Sequence, residues 1–312
     1  MNLKCRICGN DANNVSHVGR EMKMGLRDKF SYFKCANCGC LQIAEYPDNI
    51  AKYYDGYHSL KQIREEEFFL TTILRKKMLE YRTTGKSMVG YVFSKLFPRV
   101  FDWVVPNMFN FNSSILDIGS GNGRLVLKMA KAGFVNVGGI DPFLNENINY
   151  RVNDKSVKIR KVDMFELSAK YDVIMLHHVL EHLPEQHKVF EKLTSLMNKN
   201  SKLIISIPMI DSYVWDKYEM NAFQLGDVPR HYYLHSLKSL SFLIEKYNLK
   251  IDSTQHFDRE LIFIDSEKLK RDIVLSEKFN FSKKELNLFR QESKRLKMRG
   301  QTGLCCFYLS LK

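Results

Sequence analysis

The chain has 312 residues, of which 45% are hydrophobic, and this length allows one large domain with a small appendage. No stretch approaches the roughly 20 consecutive apolar residues of a membrane span, and the first residues lack the apolar run of a secretory signal. We therefore expect a cytoplasmic protein. Its seven cysteines, an odd number that includes two CxxC pairs, favour metal binding by reduced thiols over disulfides.

The formal net charge of +13 suggests a nucleic-acid partner, because polyphosphates attract clustered lysine and arginine. The excess lies in the flanks. Residues 61–105 and 266–300 hold nine and eleven basic residues, each against five acidic ones, whereas residues 114–210 hold thirteen against ten. Both flanks have the scattered charges of solvent-exposed helices. A nucleic-acid partner is therefore the less favoured interpretation, and no membrane span is predicted.

The first predicted module, residues 1–45, is a zinc ribbon. Four cysteines form two CxxC pairs that are separated by 26 residues: Cys5, Cys8, Cys35 and Cys38. Four thiolates complete a tetrahedral site without an open position, so the spacing predicts a structural Zn²⁺. Cys40 makes no CxxC pair and is expected to be a spectator.

Residues 46–113 predict a helical linker or cap, and a different pattern begins at Ser114. Short apolar strands then alternate with amphipathic helices, which is typical of βαβ units and a mainly parallel sheet. The predicted strands are SILDI, VNVGGI, VKIRKV, YDVIML, KLIISI, Leu249–Gln255 and the C-terminal GLCCFYLSLK. We therefore expect an α/β, doubly wound, seven-stranded, Rossmann-like domain over residues 114–312, with a helical insertion at about 266–300.

A glycine-rich turn, LDIGSGNG over residues 116–123, follows the first of these strands and opens a helix. Its glycines let a ligand approach the backbone, but dinucleotide sites use the same device, so neighbouring residues must decide. Asp117 can engage the amino-acid end of a cofactor. Asp141 ends the second strand, where its carboxylate can accept from both ribose hydroxyls, and Asp163 follows the third, where it can accept from an adenine amino group.

The ordered set LDIGSGNG, GIDPF, KVDMFEL, YDVIMLHHVLEHLPE and KLIISIP, within residues 114–210, resembles the motifs of class I S-adenosylmethionine-dependent methyltransferases. A nicotinamide site would place its third glycine later than Gly123. The resemblance implies S-adenosylmethionine as the cofactor. It assigns the following residues to cofactor binding: Asp117, Gly119, Ser120, Gly121, Asn122, Gly123, Asp141, Pro142, Asp163, Met164 and His177.

The flanks extend this resemblance to zinc-ribbon methyltransferases that occur with surface-polysaccharide biosynthesis. The features that carry it are the CxxCG pairs, a tyrosine element and the Pro-Arg-His sequence at 229–231. It implies a small-molecule acceptor, with the methyl group going to a hydroxyl of a nucleotide-linked or glycan sugar. Aromatic faces suit sugar rings, and arginine can pair with phosphate. The residues predicted to bind the acceptor are Tyr53, Tyr54, Tyr57 and Arg230.

Methyl transfer to a hydroxyl must also dispose of a proton, so a base is expected near the acceptor. The fourth strand of this fold ends beside the reacting methyl group, which places His177 and His178 near the active site. We predict catalytic roles for His178, as the base, and for His231. Glu181 and His182 belong to a recurring LEHL element and are interpreted as anchors of the following helix.

The sequence is also compatible with two other functions. The first is an RNA methyltransferase that uses the ribbon and the basic flanks to bind RNA. The chain has no Asn-Pro-Pro-Tyr element and no cysteine directly after the fourth or fifth strand, which leaves ribose or guanine as targets. The second is a non-catalytic module that binds cofactor or protein partners. The acidic residues at all three cofactor positions argue against the second function.

Overall fold

The computed structural model describes residues 3–54, 69–152, 155–257 and 259–312, so Tyr57 lies outside the described residues. In this part the strands are β1 Val15–Arg20, β2 Lys29–Lys34, β3 Leu41–Ile43, β4 Ser114–Ile118, β5 Asn136–Ile140, β6 Ile148–Val152, β7 Lys155–Arg160, β8 Tyr171–His177, β9 Met197–Pro208, β10 Tyr233–Leu234, β11 Leu249–His256 and β12 Leu304–Leu311. The helices are α1 Phe69–Thr84, α2 Met88–Leu96, α3 Arg124–Lys131, α4 Gln186–Ser195, α5 Tyr213–Tyr218, α6 Leu237–Lys246, α7 Leu261–Lys270 and α8 Lys283–Met298.

The main sheet confirms the predicted doubly wound fold. Its strand order is β11-β12-β9-β8-β4-β5-β7-β6. The five central strands from β9 to β7 pair in parallel, and β12 runs antiparallel between β9 and β11. Parallel strands need crossover helices on both faces, and the alternating helix pattern of the sequence supplies them.

An eighth strand, β6, adds to the seven that the sequence predicts. It pairs antiparallel with β7 at the sheet edge. Its sequence, INYRV, alternates between buried and exposed positions, with Tyr150 and Val152 directed into the core. An edge strand with one solvated face needs only this weak alternation, which is hidden among the polar residues around it.

The ribbon sheet is completed by the larger domain. Strands β1, β2 and β3 form an antiparallel meander, and β10 pairs antiparallel with β3, matching Tyr233 to Gln42 and Leu234 to Leu41. Buried residues of the ribbon and of the main sheet share one hydrophobic cluster. The ribbon therefore packs as part of the domain, at the segment that follows β9.

Four further helices lie outside the central strands and their crossover helices. Helices α1 and α2 lie within residues 46–113, α8 lies within residues 266–300, and α7 begins before that range, at Leu261. The predicted boundaries at 45 and 113 fall between elements, directly after β3 and before β4. Among the helices that the structure describes, none has the length and apolar character needed to cross a membrane.

Candidate functional site

The glycine-rich turn joins β4 to α3 in a conformation that needs glycine. Gly119 and Gly123 have φ angles of +67° and +78°. A Cβ atom on Gly119 would lie 2.5 Å from a methyl of Val179, and one on Gly123 would lie 2.4 Å from Ile159. Larger residues would therefore force the turn apart. The turn therefore stays close to the sheet at the strand ends, with Gly121 and Gly123 buried and Ser120 half-buried.

Asp141, at the end of β5, holds this turn in place. Its carboxylate accepts hydrogen bonds from the backbone N–H groups of Gly121 and Phe143, each at 2.9 Å. Burial raises the pKa of Asp141, and these two hydrogen bonds oppose that rise. Ser120 donates its backbone N–H to the carbonyl oxygen of Ile140 at 3.0 Å, so β4 and β5 end side by side.

Asp117 is a buried carboxyl group beneath the turn, with 4% of its surface exposed. Burial, and then the nearby charge of Asp141, raise its pKa to about 8. An ionised carboxylate is costly to bury unless a cation or hydrogen-bond donors compensate it. This position therefore suits a ligand that brings a positively charged group, such as an ammonium.

Other predicted cofactor residues lie at the same edge of the sheet. Asp163 caps a short 3₁₀ turn after β7 by accepting the N–H of Phe165 at 2.9 Å, and Met164 is buried beside it. The carbonyl oxygen of Asn122 accepts from the Tyr150 hydroxyl at 2.7 Å. Tyr150 lies on β6, the edge strand that the sequence did not predict, and its hydrogen bond holds the turn from the side of that strand.

Pro142 is exposed directly after Asp141, next to the stacked ring of Phe143. Cofactor contacts of these residues stay predictions. The structure brings them to one edge of the sheet, as the sequence predicts, because parallel strands end together.

The two histidines at the end of β8 face different surroundings. The His177 ring lies 5.0 Å from the Trp103 ring, and burial lowers its pKa to about 3, with the charge of His178 adding to the effect. Its Nε2 atom is buried without a hydrogen-bond partner among the described residues. His178 has a φ of +57° and a side chain that is 54% exposed, and this unusual backbone directs its ring out of the sheet.

Glu181 lies directly below His178, and its position differs from the helix anchor that the sequence predicts. Its carboxylate is 1% exposed and lies 3.5 Å from Nδ1 of His178, and neither oxygen accepts a hydrogen bond from any described residue. Burial by itself raises the pKa of Glu181, but the neighbouring histidines outweigh it, so the pKa falls below its usual value. Glu181 is therefore an ionised group inside the site.

His182 and His231 lie beside Glu181. Their ring centres are 4.8 Å apart, and the ligand atoms of the three residues all lie within 4.8 Å of one another. Burial lowers the pKa of His231 to about 4, with help from His182 and against Asp227 and Glu181, which keeps its ring neutral at pH 7. Glu181 and His182 are thus the residues of this cluster that the sequence analysis did not assign to the site. The available signal was their position shortly after the His177-His178 pair at the end of β8.

The predicted acceptor residues separate into two groups. The Tyr54 ring stacks on Phe143 at 5.0 Å, and the Arg230 guanidinium lies 5.4 Å from the centre of the same ring, so Tyr54 joins the β5 end to the segment after β9. Arg230 is buried and paired with Asp227.

Tyr53 contacts the ribbon, and its role in acceptor binding stays a prediction. Its hydroxyl donates to Asp28 at 2.7 Å and its ring contacts Phe30, because the chain turns that side of the 3₁₀ element towards β2 of the ribbon. Tyr53 therefore belongs to the ribbon packing.

The four predicted zinc ligands form one cluster. The Sγ atoms of Cys5 and Cys38, and those of Cys8 and Cys35, are 3.6 Å apart, and all four Sγ atoms lie within 4.8 Å of one another. A tetrahedral zinc with Zn–S bonds of about 2.3 Å would place its sulfurs about 3.8 Å apart. The cluster therefore fits Zn²⁺. Cys40 is buried and lies outside this cluster.

Hydrogen bonds connect the cysteine cluster to the histidine cluster. Gln42 on β3 donates its side-chain N–H to Cys5 Sγ at 3.1 Å, and β3 pairs with β10. Tyr32 on β2 donates its hydroxyl to the carbonyl oxygen of His231 at 2.8 Å, and Tyr232 donates its N–H to the Glu181 carbonyl at 2.9 Å. The ribbon thereby holds the segment that carries Arg230 and His231.

The sheet order and the glycine-rich turn define a class I methyltransferase fold. The family model described as a methyltransferase domain matches residues 84–254, which is more than half of the chain. The chain therefore belongs to this methyltransferase domain family.

Two relatives carry the name EEF1A lysine methyltransferase 2. The human protein is 27% identical over 165 residues, covering 47% of this chain and 66% of its own length. The zebrafish (Danio rerio) protein is 30% identical over 125 residues, covering 35% of this chain and 53% of its own length. The chain thus matches less than two thirds of either relative. A solved S-adenosylmethionine-dependent methyltransferase from Archaeoglobus fulgidus is 20% identical, with a TM-score of 0.42, covering 71% of this chain and 99% of that one.

Proposed function

We propose that the chain transfers a methyl group from S-adenosylmethionine to a hydroxyl of a small polar acceptor, most specifically a nucleotide-linked or glycan sugar. The observation that carries the methyl-transfer part is the glycine-rich turn between Asp117 and Asp141, at the strand ends of a family fold. S-adenosylmethionine supplies, when bound, an electrophilic methyl group on a sulfonium.

The cofactor cradle uses residues that already have suitable surroundings. Asp117 balances the ammonium of the amino-acid end, and Asp141 accepts from the ribose hydroxyls while it holds the turn. Asp163 and Met164 lie at the third strand end, on the adenine side. The exposed ring of Phe143, stacked on Tyr54, adds an apolar face there. Only Phe143 in this set was not predicted from the sequence.

His178 is the base in this proposal. Its exposed ring stands above the end of β8, and the ionised Glu181 lies 3.5 Å from its Nδ1 atom. A carboxylate on one ring nitrogen favours the tautomer whose other nitrogen accepts a proton from the acceptor hydroxyl. The positive charge that then forms on His178 is stabilised by Glu181. His231 lies on the other side of Glu181 and completes the polar wall.

The sugar assignment rests on the segment after β9 and on the resemblance to polysaccharide-associated enzymes. The Tyr54 ring lies 5.4 Å from the guanidinium of Arg230, which is itself buried against Asp227. Such a pair suits a sugar ring that bears a phosphate. The structural Zn²⁺ supports this wall from behind, through β3 and β10.

A protein lysine is the second candidate acceptor, favoured by the names of the two relatives. A lysine ammonium must also lose a proton before methyl transfer, so the pair of His178 and Glu181 serves either acceptor. The two candidate acceptors give methylated products of different size. A cofactor labelled at its methyl group marks the product, so the size of the labelled molecule distinguishes a sugar from a protein.

Single substitutions test the catalytic assignment. His178→Ala and His231→Ala should each lower turnover by roughly a hundredfold, the scale of general-base catalysis, with little change in the cofactor dissociation constant. His17→Ala, a half-buried histidine on β1, is the matched control and should keep full turnover. Near-wild-type turnover in both site variants would remove these histidines from the mechanism.

A further inference from the structure

The cluster of Glu181, His182 and His231 has the composition of a metal site with two histidines and one carboxylate. Glu181 and His182 come from the short 3₁₀ turn after β8, and His231 comes from the segment before β10. Their ligand atoms lie within 4.8 Å of one another. The cluster is separate from the four cysteines, which form the other group of this kind among the described residues.

The hydrogen bonds of the two histidines assign their tautomers. Nδ1 of His182 lies 2.8 Å from the carbonyl oxygen of Arg230, and Nδ1 of His231 lies 2.6 Å from that of Gln224. A carbonyl oxygen only accepts, so each Nδ1 carries the proton and each Nε2 of a neutral ring bears a lone pair. Metal-binding histidines characteristically donate their second nitrogen to a carbonyl oxygen in this way.

Glu181 adds a third acceptor without a donor to match it. Its carboxylate is buried, and neither oxygen accepts a hydrogen bond from the residues that the structure describes. His178 approaches to 3.5 Å but is largely exposed. A buried carboxylate that accepts no hydrogen bond is costly, and three converging acceptors have no mutual attraction. A cation between them removes both costs.

The surrounding charges leave room for that cation. Asp227 lies 3.7 Å from Nε2 of His231, and its own charge is balanced by Lys23, at 2.8 Å, and by Arg230. The charge of Glu181 has no such basic partner within ion-pair distance among the described residues except His178. Two imidazoles on one ion at about 2.1 Å would have ring centres roughly 5 Å apart. The observed separation is 4.8 Å.

We propose that Glu181, His182 and His231 bind a divalent first-row transition metal of the Zn²⁺ type, in addition to the four-cysteine zinc. Imidazole ligands favour such ions over Mg²⁺ or Ca²⁺. Three protein ligands leave a coordination position open. That this position receives the acceptor hydroxyl, beside His178, rests on the proposed function, whereas metal binding itself does not.

Metal analysis of the full-length protein tests the proposal without any activity measurement. Protein equilibrated with Zn²⁺ should hold two zinc ions per chain, and Glu181→Gln, His182→Ala and His231→Ala should each hold one. With Co²⁺ as the probe, the thiolate charge-transfer band of the cysteine cluster should be the same in all proteins. The weaker visible bands of a nitrogen and oxygen site should be absent from the three variants.

The variants are compared with His17→Ala, which should retain both ions, and circular dichroism establishes that each variant is folded. One zinc per chain in the wild type, at saturating Zn²⁺, would overturn the proposal, as would two in the folded Glu181→Gln protein. Two ions without methyl transfer would leave the metal site standing and reject the proposed function. Methyl transfer by a wild type that holds a single ion would support the proposed function and reject the second metal site.

Discussion

The hydroxyl of Tyr32 donates a 2.8 Å hydrogen bond to the carbonyl oxygen of His231, and this bond joins the cysteine-bearing ribbon to the candidate active site. Tyr32 is 1% exposed and lies on β2, between the two cysteine pairs in sequence. Because β10 completes the ribbon sheet directly after His231, the position of that histidine depends on the ribbon. The ribbon therefore acts as a support for the acceptor side of the site.

Tyr32→Phe tests this support. The change removes one hydroxyl and leaves the His231 carbonyl without its partner, which costs roughly 1–3 kcal/mol for a buried acceptor. We expect turnover to fall several-fold, while the cofactor dissociation constant, measured by calorimetry, stays unchanged. As the control, Tyr218→Phe removes a hydroxyl that donates to Glu267 of α7 at 2.7 Å. Tyr218 belongs to the same segment after β9 as His231, but its change leaves the bond between Tyr32 and the His231 carbonyl intact. If Tyr218→Phe lowers turnover equally, general destabilisation explains the effect and the support role is wrong.

Removal of one ligand of the proposed zinc should damage the acceptor side before the cofactor side. Cys35→Ser removes one of four thiolates, and we expect a lower melting temperature and a fall in turnover of at least roughly tenfold, since metal binding stabilises the ribbon fold. Cofactor affinity should change little, because its cradle comes from β4, β5 and β7. The control is Cys40→Ser, a buried cysteine outside the cluster. Equal loss of cofactor affinity and turnover in Cys35→Ser would contradict this division.

Asp141→Asn should weaken cofactor binding by at least roughly tenfold, the loss expected for hydrogen bonds to a charged acceptor. The neutral Asn side chain is also a weaker acceptor for the N–H of Gly121, so the turn that Asp141 holds should loosen. Calorimetry with S-adenosylhomocysteine gives the dissociation constant. Asp172→Asn is the matched control, because Asp172 also accepts a backbone N–H, from Ser114 at 2.8 Å, but at the opposite edge of the sheet. An unchanged constant for Asp141→Asn would reject the ribose assignment.

Asp117→Asn should stabilise the cofactor-free protein as the pH rises. The folded pKa of Asp117, about 8, lies above its ordinary value of 3.8, so the folded state binds this proton more tightly. The contribution of Asp117 to stability is therefore complete below pH 3.8 and is lost as the pH rises through about 8. Asn does not titrate. Between these two pH values, the free energy of unfolding of the variant should therefore rise relative to that of the wild type by on the order of 1 kcal/mol per pH unit.

Urea unfolding at pH 5.5, 6.5 and 7.5 (about one pH unit apart, within the range of the linkage) measures this difference in the free energy of unfolding. Effects of pH on the cysteine cluster occur in both proteins and cancel in the comparison. The same variant should bind the cofactor more weakly, because it cannot balance an ammonium. A stability difference that does not vary with pH would show that Asp117 is not a buried titrating group.

Much of the fold could be predicted because each buried parallel strand is a short apolar run between turn residues. SILDI and YDVIML appear as β4 and β8 within one residue of their predicted ends. Strand β6 was missed because an edge strand alternates polar and apolar residues and resembles a loop. The two residues of β10 carry no periodic pattern, so the joint sheet with the ribbon depends on tertiary contacts that the sequence does not display.

The site was predictable where residue type and strand position coincide. Asp117, Asp141 and the glycines lie at strand ends, and the topology brings strand ends together. Glu181 was misjudged, because whether a carboxylate anchors a helix or points into a site depends on the path of a chain segment 50 residues away, which carries His231. The surface that the Tyr53 ring contacts also depends on tertiary packing, because it is set by how the 3₁₀ turn lies against β2.

The most direct test of the central claim is a transfer assay with S-adenosylmethionine labelled at its methyl group. The wild type and His178→Ala are each incubated with nucleotide-sugar and polysaccharide-precursor pools, with protein extract and with total RNA. We expect label in a sugar fraction with the wild type and its loss with His178→Ala. Label confined to protein or RNA would contradict the sugar acceptor, and the absence of label from every fraction, with the cofactor bound, would contradict methyl transfer itself.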